Sequence, residues 1–327
     1  MFSFEDFAGQ SAHIAQLQGD FAAHAFVHAY LFAGPKGTGK RSVAQLCAQT
    51  AVCRGEKKPC GQCGPCRRVL AGTHPDVHTV TAPKGKASIG VDVLREVIET
   101  VSVRSFEDGT KAILFPEADK MTVQAQNCLL KTLEEPPQDT VFFLITDQPA
   151  ALLSTIVSRC RTVRFHPLDV EAAAQRLCAL GMDAHEARRK ARMAEGCVGQ
   201  ALQIDDERIA LRESVTRDVF SVRRPGDIPA AVNAYKDVKE QKTQVLDVLE
   251  AAVRDIMLAQ SGRMELDDAG YAREAEAYAR AVPLSGGLRL YGAVTRARQM
   301  VASNVAFASA FESILFNLTE EYARWPW

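Results

Sequence analysis

Residues 26–33, FVHAYLFA, form a short apolar run rich in aromatic and β-favouring types, and they lead directly into GPKGTGK. This order constrains the fold more than any other feature. A strand that feeds a helix through a glycine-rich loop presents backbone amides and a helix N-terminus to phosphate oxygens, and the loop lysine adds a mobile positive charge. Gly34, Lys36, Gly37, Thr38, Gly39, Lys40, Arg41 and Ser42 make up the candidate loop and the first turn of its helix. Further short apolar runs follow at VHTV (77–80), KAILF (111–115), VFFLIT (141–146) and TVRF (162–165), with helical stretches between them. Such alternation predicts a parallel sheet covered by helices.

One of the intervening stretches shows its period clearly. Val91, Leu94, Val97, Ile98 and Val101 recur at helical spacing, while Arg95, Glu96 and Glu99 face away, which predicts an amphipathic helix. Strand signals stop after Phe165, and Leu168 to Leu202 is rich in Ala, Leu, Arg and Glu. The RRPGD segment at 223–227 punctuates the chain again, and helical periodicity then runs to the end. The expected class is α/β plus all-α, divided into a phosphate-loop sheet domain (1–167), a small helical domain (168–207) and a C-terminal helical domain (208–327).

The phosphate loop departs from its usual pattern where magnesium would bind. The residue after the loop lysine normally offers a hydroxyl to Mg²⁺, and here it is Arg41. Ser42 is a poor substitute, because one further step along a helix turns a side chain by about 100°. The second half of such a site is an apolar strand ending in Asp-Glu. In KAILFPEADKM, Pro116 stands where Asp belongs and only Glu117 remains. Two magnesium positions are thus damaged together, which predicts that this chain does not hydrolyse nucleotide. Lys40 and Arg41 could still hold phosphate, so ATP binding stays open.

Cys53, Cys60, Cys63 and Cys66 follow the spacing Cx6CxxCxxC. Four thiolates from a helix end and a tight loop suit tetrahedral, structural Zn²⁺. An iron–sulfur cluster is the alternative ligand for the same pattern. Cys47, Cys128, Cys178 and Cys197 lie in apolar helical contexts and are expected in the core. Lys57, Lys58, Arg67 and Arg68 make the cysteine segment basic, for solubility or for a partner.

The stretches NCLLKTLEEPP (127–137) and DQPAALLSTIVSRCRTVRF (147–165) resemble the clamp-loader family of AAA+ proteins. The resemblance covers roughly residues 1–202. It implies an AAA+ lobe with a zinc module at about 53–66, a small helical lid and a C-terminal helical collar. It places on Arg159, beside Ser158 and Cys160, the role of an arginine finger that reaches the nucleotide of an adjacent subunit. Hydrolysing members carry an arginine within a stretch similar to EGCVGQAL (195–202), where this chain has Gly199. Together with Arg41 and Pro116, this implies a non-hydrolysing subunit. The partners implied are ATPase subunits of gamma/tau type and a delta-type subunit, with the sliding clamp and primed DNA reached through the complex during replication.

Two other readings compete: an ATP-hydrolysing motor subunit of gamma/tau type, and a zinc-containing DNA-binding module. The formal net charge of −1 gives no general attraction to nucleic acid. Any DNA contact needs a local patch, for which Arg188, Arg189, Lys190 and Arg192 are the candidate, although a solvated helix face is the plainer expectation. No apolar run is long enough for a membrane span, and MFSFEDFAGQ lacks the order of a secretory signal, so a cytoplasmic protein is expected.

Overall fold

A computed structural model of the chain describes residues 3–107, 109–235, 242–262, 266, 271 and 273–325. The chain divides into two compact units, residues 1–187 with 194–202, and residues 188–193 with 203–327.

The first unit is built on a five-stranded sheet in the order β2-β3-β4-β1-β5, comprising β1 (Ala29–Ala33), β2 (Val77–Thr79), β3 (Lys111–Phe115), β4 (Thr140–Thr146) and β5 (Arg161–Arg164). Every pairing is parallel. β1 lies between β4 and β5, with Tyr30 opposite both Phe143 and Arg161. All residues of β1, β3 and β4 are buried, which is why these strands read as unbroken apolar runs rather than as alternating ones.

The period of two still decides which core each side chain enters. Tyr30, Phe32, Leu114, Phe143 and Ile145 pack with α1 (Ser11–Ala22) and α2 (Lys40–Val52). Leu31, Ala33, Ile113, Phe115, Phe142 and Leu144 face the opposite way, toward α4 (Val91–Ser102), α5 (Val123–Glu134) and α6 (Ser154–Val157), which follow α3 (Gly64–Ala71) in the chain. In α4, Leu94 and Val101 are buried while Arg95, Glu96 and Glu99 are exposed, as its period requires. Its C-terminal end is held by the buried Lys111, whose ammonium donates to the carbonyls of Thr100, Val101 and Val103. A cation at that position also complements the helix dipole.

After β5 the chain forms α7 (Val170–Ala179), α8 (Ala184–Met193) and α9 (Val198–Ala201). Asp169 caps α7 by accepting from the Ala172 amide at 2.8 Å. Of the basic run in α8, only Arg188 is exposed, whereas Lys190 is buried. The expectation of a solvated face there is corrected, because the run turns part of itself inward. The core expectation for cysteines holds for Cys47 and Cys197 but not for Cys178, which is exposed, or Cys128, which is half-buried.

The second unit contains α10 (Asp206–Phe220), α11 (Ile228–Ala234), α12 (Lys242–Gln260), α13 (Arg273–Ala281), α14 (Leu284–Ala302) and α15 (Phe307–Arg324). RRPGD is a turn inside this unit rather than its border, since Val219 and Phe220 before it share one core with Leu249, Tyr278, Val294, Phe311 and Leu315 after it. No described helix is long and apolar enough to cross a membrane.

Candidate functional site

The phosphate loop joins β1 to α2 as its sequence demands. Gly34, Gly37 and Gly39 all adopt positive φ, and each is approached so closely that a side chain would collide. A Cβ on Gly34 would lie 2.1 Å from the Phe165 carbonyl oxygen, and one on Gly39 would lie 2.6 Å from the Phe7 ring. Lys40 is buried, and its ammonium donates to the Gly34 and Pro35 carbonyls at 2.5 and 2.6 Å. Burial is the main cause that lowers its pKa, opposed by the carboxylates of Asp147 and Asp119. Lys36 is exposed and lies 3.6 Å from Asp147, while the Thr38 hydroxyl donates to the Pro35 carbonyl at 2.9 Å.

The loop is also covered from a distant part of the chain. The Gly199 amide donates to the Gly37 carbonyl at 2.8 Å, and the Gln200 side-chain amide donates to the Lys36 carbonyl at 2.9 Å. A Cβ on Gly37 would lie 2.6 Å from the Gln200 nitrogen. From the other end, Arg176 of α7 pairs with Asp6 at 2.9 Å beside Phe7. None of these long-range contacts has a local sequence signal, and Phe7, Asp6, Arg176 and Gln200 were not legible as loop residues.

Arg41 is exposed and Ser42 half-buried at the start of α2. Glu117 pairs at 2.7 Å with Lys120, both about half exposed. The sequence did not single out Asp119 and Thr146, which meet beside the loop. The Thr146 hydroxyl donates to Asp119 at 2.7 Å and accepts from the Gln148 amide at 2.9 Å. Their positions, one after β3 and one at the end of β4, are the only hint.

Arg159 lies two residues beyond the end of α6. Its Nη1 donates to the Thr155 carbonyl at 2.9 Å, and its Nη2 meets the Glu134 carboxylate at 2.6 Å. About a third of its side chain is exposed. The neighbouring Ser158 hydroxyl donates to the same Thr155 carbonyl at 3.1 Å, so it closes the helix end. Cys160 points into the core, and burial pushes its thiol up to about 12. The segment leading into α6 hangs from the buried Gln126 of α5. Its side chain donates to the Met121 and Ala151 carbonyls at 3.1 and 3.2 Å, and it accepts from the Leu153 amide at 2.8 Å.

Cys53, Cys60, Cys63 and Cys66 come together, with all four sulfurs within 4.8 Å of one another. The Cys60 and Cys66 sulfurs are 4.0 Å apart, against about 3.8 Å expected between thiolates around tetrahedral zinc. Backbone amides of Gly55 and Cys60 point at the Cys53 sulfur at 3.3 Å, and that of Cys63 at the Cys60 sulfur at 3.4 Å. Such amides favour thiolates, and they hold the Cys60 thiol down at about 6. Burial pushes Cys66 the other way. A Cβ on Gly55 would lie 2.8 Å from that of Cys60, so the glycine makes room for the Cys60 side chain. The donor set and its geometry fit a structural zinc. Arg68, counted among the basic residues of this segment, is turned onto Glu107, which also pairs with Arg54 at 3.1 Å.

A family model described as DNA polymerase III, delta subunit, matches residues 9–169. The chain is 37% identical over 243 residues to DNA polymerase III subunit delta' of Bacillus subtilis (strain 168), covering 72% of this chain and 73% of that one. It is 41% identical over 136 residues to subunit delta' of Escherichia coli (strain K12), covering 41% of each chain. To subunit tau of Bacillus subtilis (strain 168) it is 31% identical over 223 residues, covering 65% of this chain and 39% of tau. The phosphate loop, the cysteine cluster and the Arg159 turn all fall inside the matched residues 9–169, and a delta' relative matches over nearly three quarters of both proteins. The chain belongs to the DNA polymerase III delta' family.

Proposed function

We propose that this protein is the non-hydrolysing delta' subunit of the DNA polymerase III clamp loader, and that it lends Arg159 to the ATP site of a neighbouring gamma/tau-type subunit. Within that complex, in the cytoplasm, it helps to place the sliding clamp on primed DNA beside a delta-type subunit. Residues 168–207 act as the lid, and 208–327 as the collar that holds the ring together. A structural zinc is held by Cys53, Cys60, Cys63 and Cys66, where it fixes the loop and takes no part in chemistry.

One observation carries this reading: around the phosphate loop, the groups that magnesium and nucleotide need are replaced or already engaged. Arg41 and Pro116 replace magnesium ligands, Glu117 is paired with Lys120, and Lys40 is bonded to two carbonyls of its own loop. A defective pocket does not prevent donation of a guanidinium, and an arginine supplied in trans contributes about 10³ to 10⁵ in rate in phosphoryl-transfer enzymes.

The test is to assemble the chain with its ATPase subunits and to follow clamp- and DNA-stimulated ATP hydrolysis. Arg159→Ala is expected to lower turnover with the complex intact, whereas Lys40→Ala in this chain is expected to change it little. Hydrolysis by the isolated chain, abolished by Lys40→Ala, would favour the motor-subunit reading instead. Unchanged turnover with Arg159→Ala would remove the trans role.

A further inference from the structure

We infer that Glu134 is a positioning residue for Arg159: it fixes the plane of the guanidinium so that its remaining donors face outward. This rests on the trans role proposed for Arg159. The guanidinium is gripped by two acceptors on two different elements, the Thr155 carbonyl in α6 at 2.9 Å and the Glu134 carboxylate at the end of α5 at 2.6 Å. A single acceptor would leave the group free to swing about that bond. Two acceptors on separate elements define its plane, and the fork has five N–H donors in all.

The mount itself is rigid. Leu129 and Leu133 of α5 are buried in the sheet core, which sets the helical register of Glu134, and Lys131 in the same turn accepts from the Glu135 amide at 3.0 Å. Gln126, two turns earlier on α5, ties down the segment that leads into α6. One helix therefore places both the chain that carries Arg159 and the carboxylate that orients its tip. An ion pair with 34% and 48% of its side chains exposed contributes little to folding stability. Its value lies in geometry: a misplacement of about 1 Å can cost a catalytic group roughly 10²-fold in rate.

The experiment uses the assembled complex and compares Glu134→Ala, Glu134→Gln, Arg159→Ala and the double variant Glu134→Ala with Arg159→Ala. The readouts are kcat and KM for ATP in clamp- and DNA-stimulated hydrolysis. Glu134→Ala is expected to lower kcat roughly 10- to 100-fold with KM within about twofold. Glu134→Gln, whose amide oxygen still accepts, is expected to recover most of the loss. In the Arg159→Ala background, Glu134→Ala should have no further effect, because it acts through the arginine. If Arg159→Ala lowers kcat and Glu134→Ala does not, or if the two losses simply add, the positioning role is overturned while the trans role stands. A Gln variant as impaired as Ala would also overturn it. If Arg159→Ala changes nothing, the trans role falls first.

Discussion

The Gly199 amide donates to the Gly37 carbonyl at 2.8 Å, across a gap so narrow that a Cβ on Gly199 would sit 3.0 Å from the Gly37 Cα. The position where hydrolysing relatives are expected to carry an arginine is therefore in backbone contact with the phosphate loop. Gly199→Arg is expected to force α9 away from the loop, lowering stability by roughly 1–3 kcal/mol, and to gain no ATP turnover because Arg41 and Pro116 remain. Urea unfolding and phosphate release by the isolated chain check both halves. Turnover in that variant would mean that the missing arginine was the decisive defect.

Gly37→Ala is expected to cost more than Gly199→Ala. Gly37 has φ of 78°, and its Cβ would lie 2.6 Å from the Gln200 nitrogen, so backbone strain of roughly 1–3 kcal/mol adds to the steric contact. Gly199 has only the contact at 3.0 Å. Parallel urea titrations of the two variants decide the order. Equal destabilisation would show that the loop and α9 separate readily.

The sheet and the two signature segments were legible because they are local. Buried parallel strands read as apolar runs, and α4 declares its buried face through Leu94 and Val101. The cysteine cluster also follows from spacing alone. What stayed hidden is the closure of the phosphate loop, since Gln200 and Lys36 meet from 164 positions apart and nothing in either neighbourhood announces it. The role of Gln126 was hidden for a similar reason, because its three bonds reach irregular backbone. In the basic run of α8, charge indicated solvent, yet Lys190 is buried.

Gln126→Leu keeps the volume of the side chain and removes its bonds. It would leave the Ala151 carbonyl and the Leu153 amide without the partner that holds the turn before α6, at about 1–3 kcal/mol for each buried group left unpaired. A total loss of about 2–6 kcal/mol is expected, with faster proteolysis at 147–154 and reduced delivery of Arg159 to the neighbour. A neutral variant would show that α6 is held in place by Ile156 and Leu152 alone.

Metal analysis of the purified chain is expected to give one zinc per molecule and no iron, and Cys60→Ser is expected to lose it. Because amides hold the Cys60 thiol at about 6, that sulfur needs no help to ionise at pH 7. Below about pH 6 the metal must displace a proton from it. Zinc uptake should therefore weaken progressively as the pH falls through 6, with more protons released per ion bound. Uptake that is flat between pH 7 and pH 5 would contradict this assignment of the ligands.

In the helical unit, Asp255 is buried between two arginines of different exposure. Arg212 reaches it at 3.2 Å with 6% of its side chain exposed, and Arg254 at 2.9 Å with 34% exposed. The buried Tyr271 hydroxyl donates to the same carboxylate at 2.5 Å, and burial raises the pKa of that phenol well above its ordinary value. Removing Asp255 leaves the buried Arg212 cation beside the Tyr271 hydroxyl and ring but without this counter-charge, which costs about 3–5 kcal/mol. Removing Arg254 breaks a pair that water already screens, worth about 0–1 kcal/mol. Asp255→Ala should therefore lower the unfolding free energy several times more than Arg254→Ala in the same urea titration. Equal effects would mean that Arg212 finds another partner once the carboxylate is gone.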